Sequence, residues 1–184
     1  MTPHDDLIAL LATRSFRRGQ FTLASGRQSP FYVDARPTTM SARGLALVGA
    51  LGLAAIREAG WEARVIGGLT LGADPVAYAV ARASLDAPPI LDAFTVRKQA
   101  KAHGTGRRIE GAFSAGDPVV VAEDVITTGG SALQAVEAIQ AEGGNVIGVL
   151  AVVDRQEGGR AAIEDAGLPV RALVTLDELV RHTT

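Results

Sequence analysis

Apolar residues along this chain recur with two different periods, and the switch between them sets the expected architecture. Residues 5–18 place Leu7, Leu10, Leu11 and Arg14 at helical intervals behind two acids, which predicts an amphipathic helix. The stretch "FTLASGRQSPFYVD" (21–34) reads as two short extended segments around a Ser-Gly turn, a hairpin or strand pair. From Ser41, a suitable N-cap, a long apolar helix runs to a stop at Gly60.

Beyond that point strands and helices alternate. "ARVIGG" (63–68), "PILDAFTV" (89–96), "PVVVAE" (118–123), "NVIGVLAVVD" (145–154) and "VRALVTL" (170–176) read as strands. A helix over 74–84, with Asp74 as cap and Pro75 at its first position, follows the first strand. Another, over 131–141, follows the third, and short helices follow the last two. Continuous branched apolar runs are buried on both faces, which implies a parallel sheet covered by helices. The expectation is one α/β domain over residues 1–184, with a doubly wound parallel sheet of about five strands. Residues 41–184 would build most of that core, and residues 1–40 a hood.

Composition narrows the picture. Hydrophobic residues make up 47% and charged residues 21%, a globular balance, and with aromatics at 4% the core must come from Ala, Val, Leu and Ile. The net charge of -2 gives no general field for nucleic acid or an anionic membrane, so neither is expected as a partner. Without cysteine there is no disulfide or thiolate chemistry, and His4, His103 and His182 lack metal-ligand spacing. The N-terminus carries acids before its apolar run, unlike a signal peptide, and breakers interrupt every apolar run, so a cytoplasmic protein is expected.

The chemistry concentrates in "VVVAEDVITTGGS" (119–131). In open α/β sheets ligands bind beyond the carboxyl ends of strands, where Glu123 and Asp124 fall. Free backbone N–H groups and the helix dipole at residues 127–131 suit a dianionic phosphate. Gly129 and Gly130 let the backbone approach, and Thr127, Thr128 and Ser131 add hydroxyls. A merely capped helix would not need two acids at its lip. A phosphate joined to sugar hydroxyls or to magnesium needs both signs of charge. A second stretch, "VRKQAKAHGTGRR" (96–108), holds five Arg or Lys and no acid between Arg97 and Arg108. Its glycines suit a lid over a departing pyrophosphate; a solvated loop and a polyanion patch are the other readings.

The signature at 119–131 resembles that of the type I phosphoribosyltransferases, which bind phosphoribosyl pyrophosphate (PRPP). That resemblance implies a parallel sheet with a hood, acids on the ribose hydroxyls, and a turn (Val125, Ile126, Thr127, Thr128, Gly129, Gly130 and Ser131) on the 5-phosphate. The pattern Arg-Lys-x-Ala-Lys-x-His-Gly (97–104) is similar to the catalytic loop of the orotate phosphoribosyltransferases. By it Arg97, Lys98, Lys101 and His103 bind PRPP or its pyrophosphate, with Lys101, His103 and Asp124 catalytic. The loop would reach the neighbouring subunit's site in a homodimer. "FTLASGRQSPFYVD" resembles the family's hood, placing Ser25, Gly26, Tyr32 and Val33 near orotate or PRPP. "VVDRQEGG" (152–159) places Arg155 on the orotate carboxylate, and Thr127 would also touch orotate.

The family resemblance further implies magnesium carried mainly by PRPP, with no direct side-chain metal ligand assigned. The chain departs from some members at Ala24 and at Thr70-Leu71, where they carry lysines, so residues 68–72 would bind through backbone N–H groups. The implied reaction gives orotidine 5'-monophosphate and pyrophosphate in pyrimidine (UMP) synthesis. A purine phosphoribosyltransferase should lack the 97–104 and 154–157 patterns, and a PRPP-sensing regulator should carry a basic nucleic-acid surface.

Overall fold

The computed structural model describes residues 2–22, 26, 28–99 and 108–183. Its elements begin with α1 (Pro3–Arg14), β1 (Phe16–Thr22), β2 (Gln28–Val33), α2 (Arg36–Thr39) and α3 (Ala42–Glu58). There follow β3 (Val65–Leu69), α4 (Ala73–Asp86), β4 (Asp92–Val96), β5 (Ile109–Gly111) and β6 (Pro118–Ile126). The last are α5 (Gly130–Ala141), β7 (Asn145–Asp154), α6 (Gly159–Asp165), β8 (Val170–Thr175) and α7 (Leu176–His182).

The main sheet has six strands in the order β5-β4-β3-β6-β7-β8. Its five longer strands are parallel, as their apolar runs predict, whereas β5 pairs antiparallel with β4. The expected all-parallel sheet is therefore a mixed one. Three residues with one apolar side chain, Ile109, carry no period by which β5 could be read. Alternate strand residues face opposite layers. Ile66, Val120 and Leu150 pack with α1, α3 and α4, while Val65, Val121 and Val149 pack with α5 and α6. That double cover keeps every residue of β3 buried and explains its unbroken apolar composition.

The hood is the antiparallel pair β1–β2, with Phe16 opposite Val33 and Thr22 opposite Gln28. The helix expected over 5–18 ends at Arg14 because Phe16 is buried in β1 and stacks on Phe31 at 5.5 Å. Long-range packing of one ring outweighs local helical periodicity there. At the other end of α1, Thr2 and Asp5 form a capping box, the Asp5 N–H donating to Thr2 Oγ1 at 3.2 Å. Ser41 caps α3 as expected, accepting from the Gly44 N–H at 3.1 Å. Asp74 does not cap α4: Gly72 stands at the N-cap, and the Asp74 carboxylate is taken by two threonine hydroxyls.

The central strands carry the stability of this arrangement. Leu150 is fully buried in β7 beneath α3 and α4. Leu150→Ala should lower the unfolding free energy by about 2–5 kcal/mol, measured by urea denaturation with an unchanged slope.

Candidate functional site

The carboxyl ends of β3 and β6 open into a cleft of about 280 Å³. Its walls are Tyr32, Val33, Asp34 and Arg36 from the hood side, Leu69, Thr70, Leu71 and Gly72 after β3, and Lys98 after β4. Glu123, Asp124, Val125, Thr127 and Ser131 complete it from β6 and the start of α5. Sequence position alone separates these segments by up to a hundred residues; the parallel sheet brings them to one edge.

Glu123 and Asp124 both line this cleft. Glu123 is buried, and its Oε1 accepts the Asp124 N–H at 3.3 Å. Asp124 is half-buried, its Oδ1 accepting the Val125 N–H at 2.8 Å. A Cβ on Gly72 would lie 2.6 Å from the Asp124 carboxylate, so any larger residue there would displace that side chain. Burial, and next the Asp124 charge, push the Glu123 carboxyl well above its ordinary 4.5. Glu123 is thus the member of the pair that favours the protonated form.

Behind the acids the chain turns at Gly129, whose φ of 81° is left-handed and whose Cβ would meet the Gly159 carbonyl oxygen at 2.8 Å. The Gly159 N–H in turn donates to the Thr127 carbonyl at 3.0 Å, fastening the turn to the segment after β7. No side chain caps α5, so its first N–H groups stay available to an anion. Thr127 and Ser131 line the cleft; Thr128, Gly129 and Gly130 form the turn beside it. Ile126 sends its side chain into the core, leaving only its backbone near the site.

Arg155 is 4% exposed, beneath the hood rather than in the cleft wall. Its N–H donates to the Ile126 carbonyl at 3.0 Å. Nη2 donates to Glu157 Oε1 at 2.6 Å, with Ser29 Oγ at 3.3 Å and the Phe31 carbonyl at 3.4 Å. Its buried Nε has no hydrogen-bond partner among the described residues. Lys98 reaches the cleft, whereas Arg97 lies outside it and pairs with Glu110 at 3.7 Å. Tyr32 is 40% exposed, its ring 5.5 Å from that of Phe21. Ser25, Lys101 and His103 lie outside the described residues.

Sequence reasoning passed over Asp34 and Arg36. The Arg36 guanidinium grips both Asp34 oxygens at 2.8 Å and holds that carboxyl below the usual range. Asp and Arg two residues apart at the end of β2 were the available signal. Among the described residues no group of three or more His, Asp or Glu side chains is placed to hold a metal, and no helix is long and apolar enough to cross a membrane.

An orotate phosphoribosyltransferase of Mycobacterium avium is 49% identical to this chain over 177 residues, 95% of each. One from Aquifex aeolicus is 46% identical over 184 residues, 98% of this chain and 99% of its own. The crystal structure of the Mycobacterium tuberculosis orotate phosphoribosyltransferase in complex with PRPP superposes with a TM-score of 0.81 at 43% identity, covering 97% of this chain and 99% of that one. No protein-family model matches the chain.

The raised Glu123 carboxyl has a measurable consequence. Between 4.5 and its folded-state value the native protein holds more protons than the unfolded chain, so this contribution to stability is complete below about 4.5 and is lost as pH rises through the raised value. Glu123→Gln should therefore gain stability over the parent with rising pH, by at most about 1.4 kcal/mol per pH unit. Thermal melting of both proteins across pH 4.5–9 checks it; a constant difference would contradict the assignment.

Proposed function

This chain belongs to the orotate phosphoribosyltransferase family, which transfers the ribose 5-phosphate of PRPP to orotate with release of pyrophosphate, and we propose how its own residues carry that reaction. The observation that supports the reading most directly is the meeting of Glu123, Asp124 and the uncapped start of α5 in one cleft. The 5-phosphate sits at residues 127–131, held by N–H groups, Thr127, Thr128 and Ser131 with no lysine required. The ribose then lies over Asp124 and Glu123, which take its hydroxyls.

In the displacement the bond from C1 to pyrophosphate breaks, its electron pair leaving with the pyrophosphate, and a ring nitrogen of orotate forms the new bond, its proton passing to the pyrophosphate or to water. The state between resembles an oxocarbenium ion, as in other glycosyl transfers. Asp124 is well placed to steady that positive charge, and Glu123 to fix the sugar through its hydroxyls. Lys98, with Lys101 and His103 in the basic segment, neutralises the departing anion. Closure of that segment shields PRPP from water.

Magnesium suits this cleft as a passenger of PRPP. Of the acids that line the cleft, Asp34 is held by Arg36 and burial disfavours charge on Glu123, which leaves Asp124, so the substrate's oxygens must supply most ligands. When bound, the ion polarises the leaving pyrophosphate. Orotate is read under the hood between Tyr32, Val33 and the segment at Arg155. The unpartnered Arg155 Nε is the reason for assigning the orotate carboxylate there.

A homodimer in which residues 97–108 serve the neighbouring site accompanies this reading. The apolar groove of about 720 Å³ along α3 and α4, including Leu45, Leu53 and Tyr78, supports a self-association face. Soluble phosphorylated substrates agree with the cytoplasmic location expected from the sequence.

Incubation with PRPP and magnesium should consume orotate and leave a panel of purines untouched; PRPP binding with no base consumed would favour a regulator. Lys101→Ala should lower turnover at least about 100-fold with little change in orotate binding, as for loss of one transition-state donor. Unchanged turnover would remove the basic segment from the mechanism. Arg155→Ala should raise the KM for orotate at least about tenfold, since the substrate carboxylate loses a charged hydrogen-bond donor. An effect confined to PRPP would show that Arg155 is wrongly placed.

A further inference from the structure

The wall formed by residues 69–72 lines the cleft and has no charged side chain, so if it takes the pyrophosphate end of PRPP in the reaction proposed above, on which this inference rests, it does so through backbone N–H groups. Grip of that kind depends on where the backbone is held. Thr70 is fastened twice. Its N–H donates to the Val96 carbonyl at 2.8 Å, and its Oγ1 donates to Asp74 Oδ2 at 2.6 Å.

The second fastening continues away from the cleft. Thr95 Oγ1 donates to Asp74 Oδ1 at 2.8 Å, and the Tyr78 hydroxyl lies 2.8 Å from the same Thr95 oxygen. A threonine hydroxyl has one proton, and Thr95 gives it to the carboxylate, so Tyr78 must donate to Thr95. The order is thereby set: Tyr78 to Thr95 to Asp74, with Thr70 donating to Asp74 from the other side. Asp74 is 9% exposed, and no basic side chain among the described residues pairs with it. Hydroxyl donors and its place in the first turn of α4 are what hold it. Neither Asp74 nor Thr95 lines the cleft.

We propose that Asp74 is a positioning residue for the pyrophosphate end of the site, braced by Thr95 and Tyr78, and that the affinity for PRPP depends on this chain of hydroxyls. The carboxylate sets Thr70 between β3 and β4, and Thr70 sets the backbone that faces the leaving group. Orotate, read on the opposite side under the hood, is not coupled to it.

Thr95→Val keeps the shape of the side chain and deletes the hydrogen bond to Asp74. The expected result is a KM for PRPP raised about five- to tenfold, with the KM for orotate changed less than about twofold. Thr95→Ser should restore the parent value. A purely structural brace would lower the melting temperature of Thr95→Val and leave both KM values alone, which would overturn the proposal. Asp74→Asn, measured in the same way, decides the matter if Thr95→Val does not fold: an unchanged KM for PRPP refutes it. Calorimetric PRPP affinity, taken without any base, separates this proposal from the assigned reaction. A parent that binds PRPP but consumes no orotate would sink the reaction alone, whereas equal PRPP affinity in parent and variants would sink the brace alone.

Discussion

The parallel pairing of β6 with β7 is the constraint on which the other features depend. Glu123 sits opposite Ala151, Val125 opposite Val153 and Ile126 opposite Asp154. Because the register is set by side chains buried on both faces, a one-residue slip would exchange the two layers, and the core forbids it. The same register brings the acids, the turn at 127–131 and Arg155 to one edge. The Arg155 N–H to the Ile126 carbonyl is simply the next rung of that ladder. Site geometry here is thus a by-product of strand pairing.

Placing carboxylates beside a polyanion is costly unless each sign of charge has its own counterpart. The site separates them in space. In the proposed reaction, backbone dipoles at α5 take the monoester, the acids take the sugar that becomes positive, and basic side chains take the leaving group. Glu123 adds a refinement, since burial and the neighbouring Asp124 charge both disfavour its negative form. Asp34 does the reverse, with Arg36 clamped on both of its oxygens. Two carboxylates that line one cleft are therefore pushed in opposite directions, one by burial and the other by the Arg36 guanidinium.

Much of this was legible from one-dimensional pattern. Strands such as β3, β6 and β7 announce themselves through apolar runs, and the 119–131 signature marks both the strand end and the helix start. What escaped detection is what depends on distant neighbours. Phe16 breaks α1 because Phe31 waits fifteen residues later, and β5 exists only as a partner for β4. Asp74 has the residue type and place of a helix cap, yet Thr70 and Thr95 claim it. Asp34 and Arg36 reach the cleft because the hood folds over it. In each case local propensity is overruled by a contact that sequence spacing does not encode.

The antiparallel rung between β4 and β5 has an implication for how such enzymes diversify. Val96 faces Ile109, and the Arg97 N–H donates to the Arg108 carbonyl at 2.8 Å, so both feet of the basic segment stand side by side on the sheet. With the footing fixed, chain entropy makes doubling the intervening length cost only about 0.6 kcal/mol. Insertions and deletions between the feet can therefore be accepted while the sheet beneath them is left undisturbed.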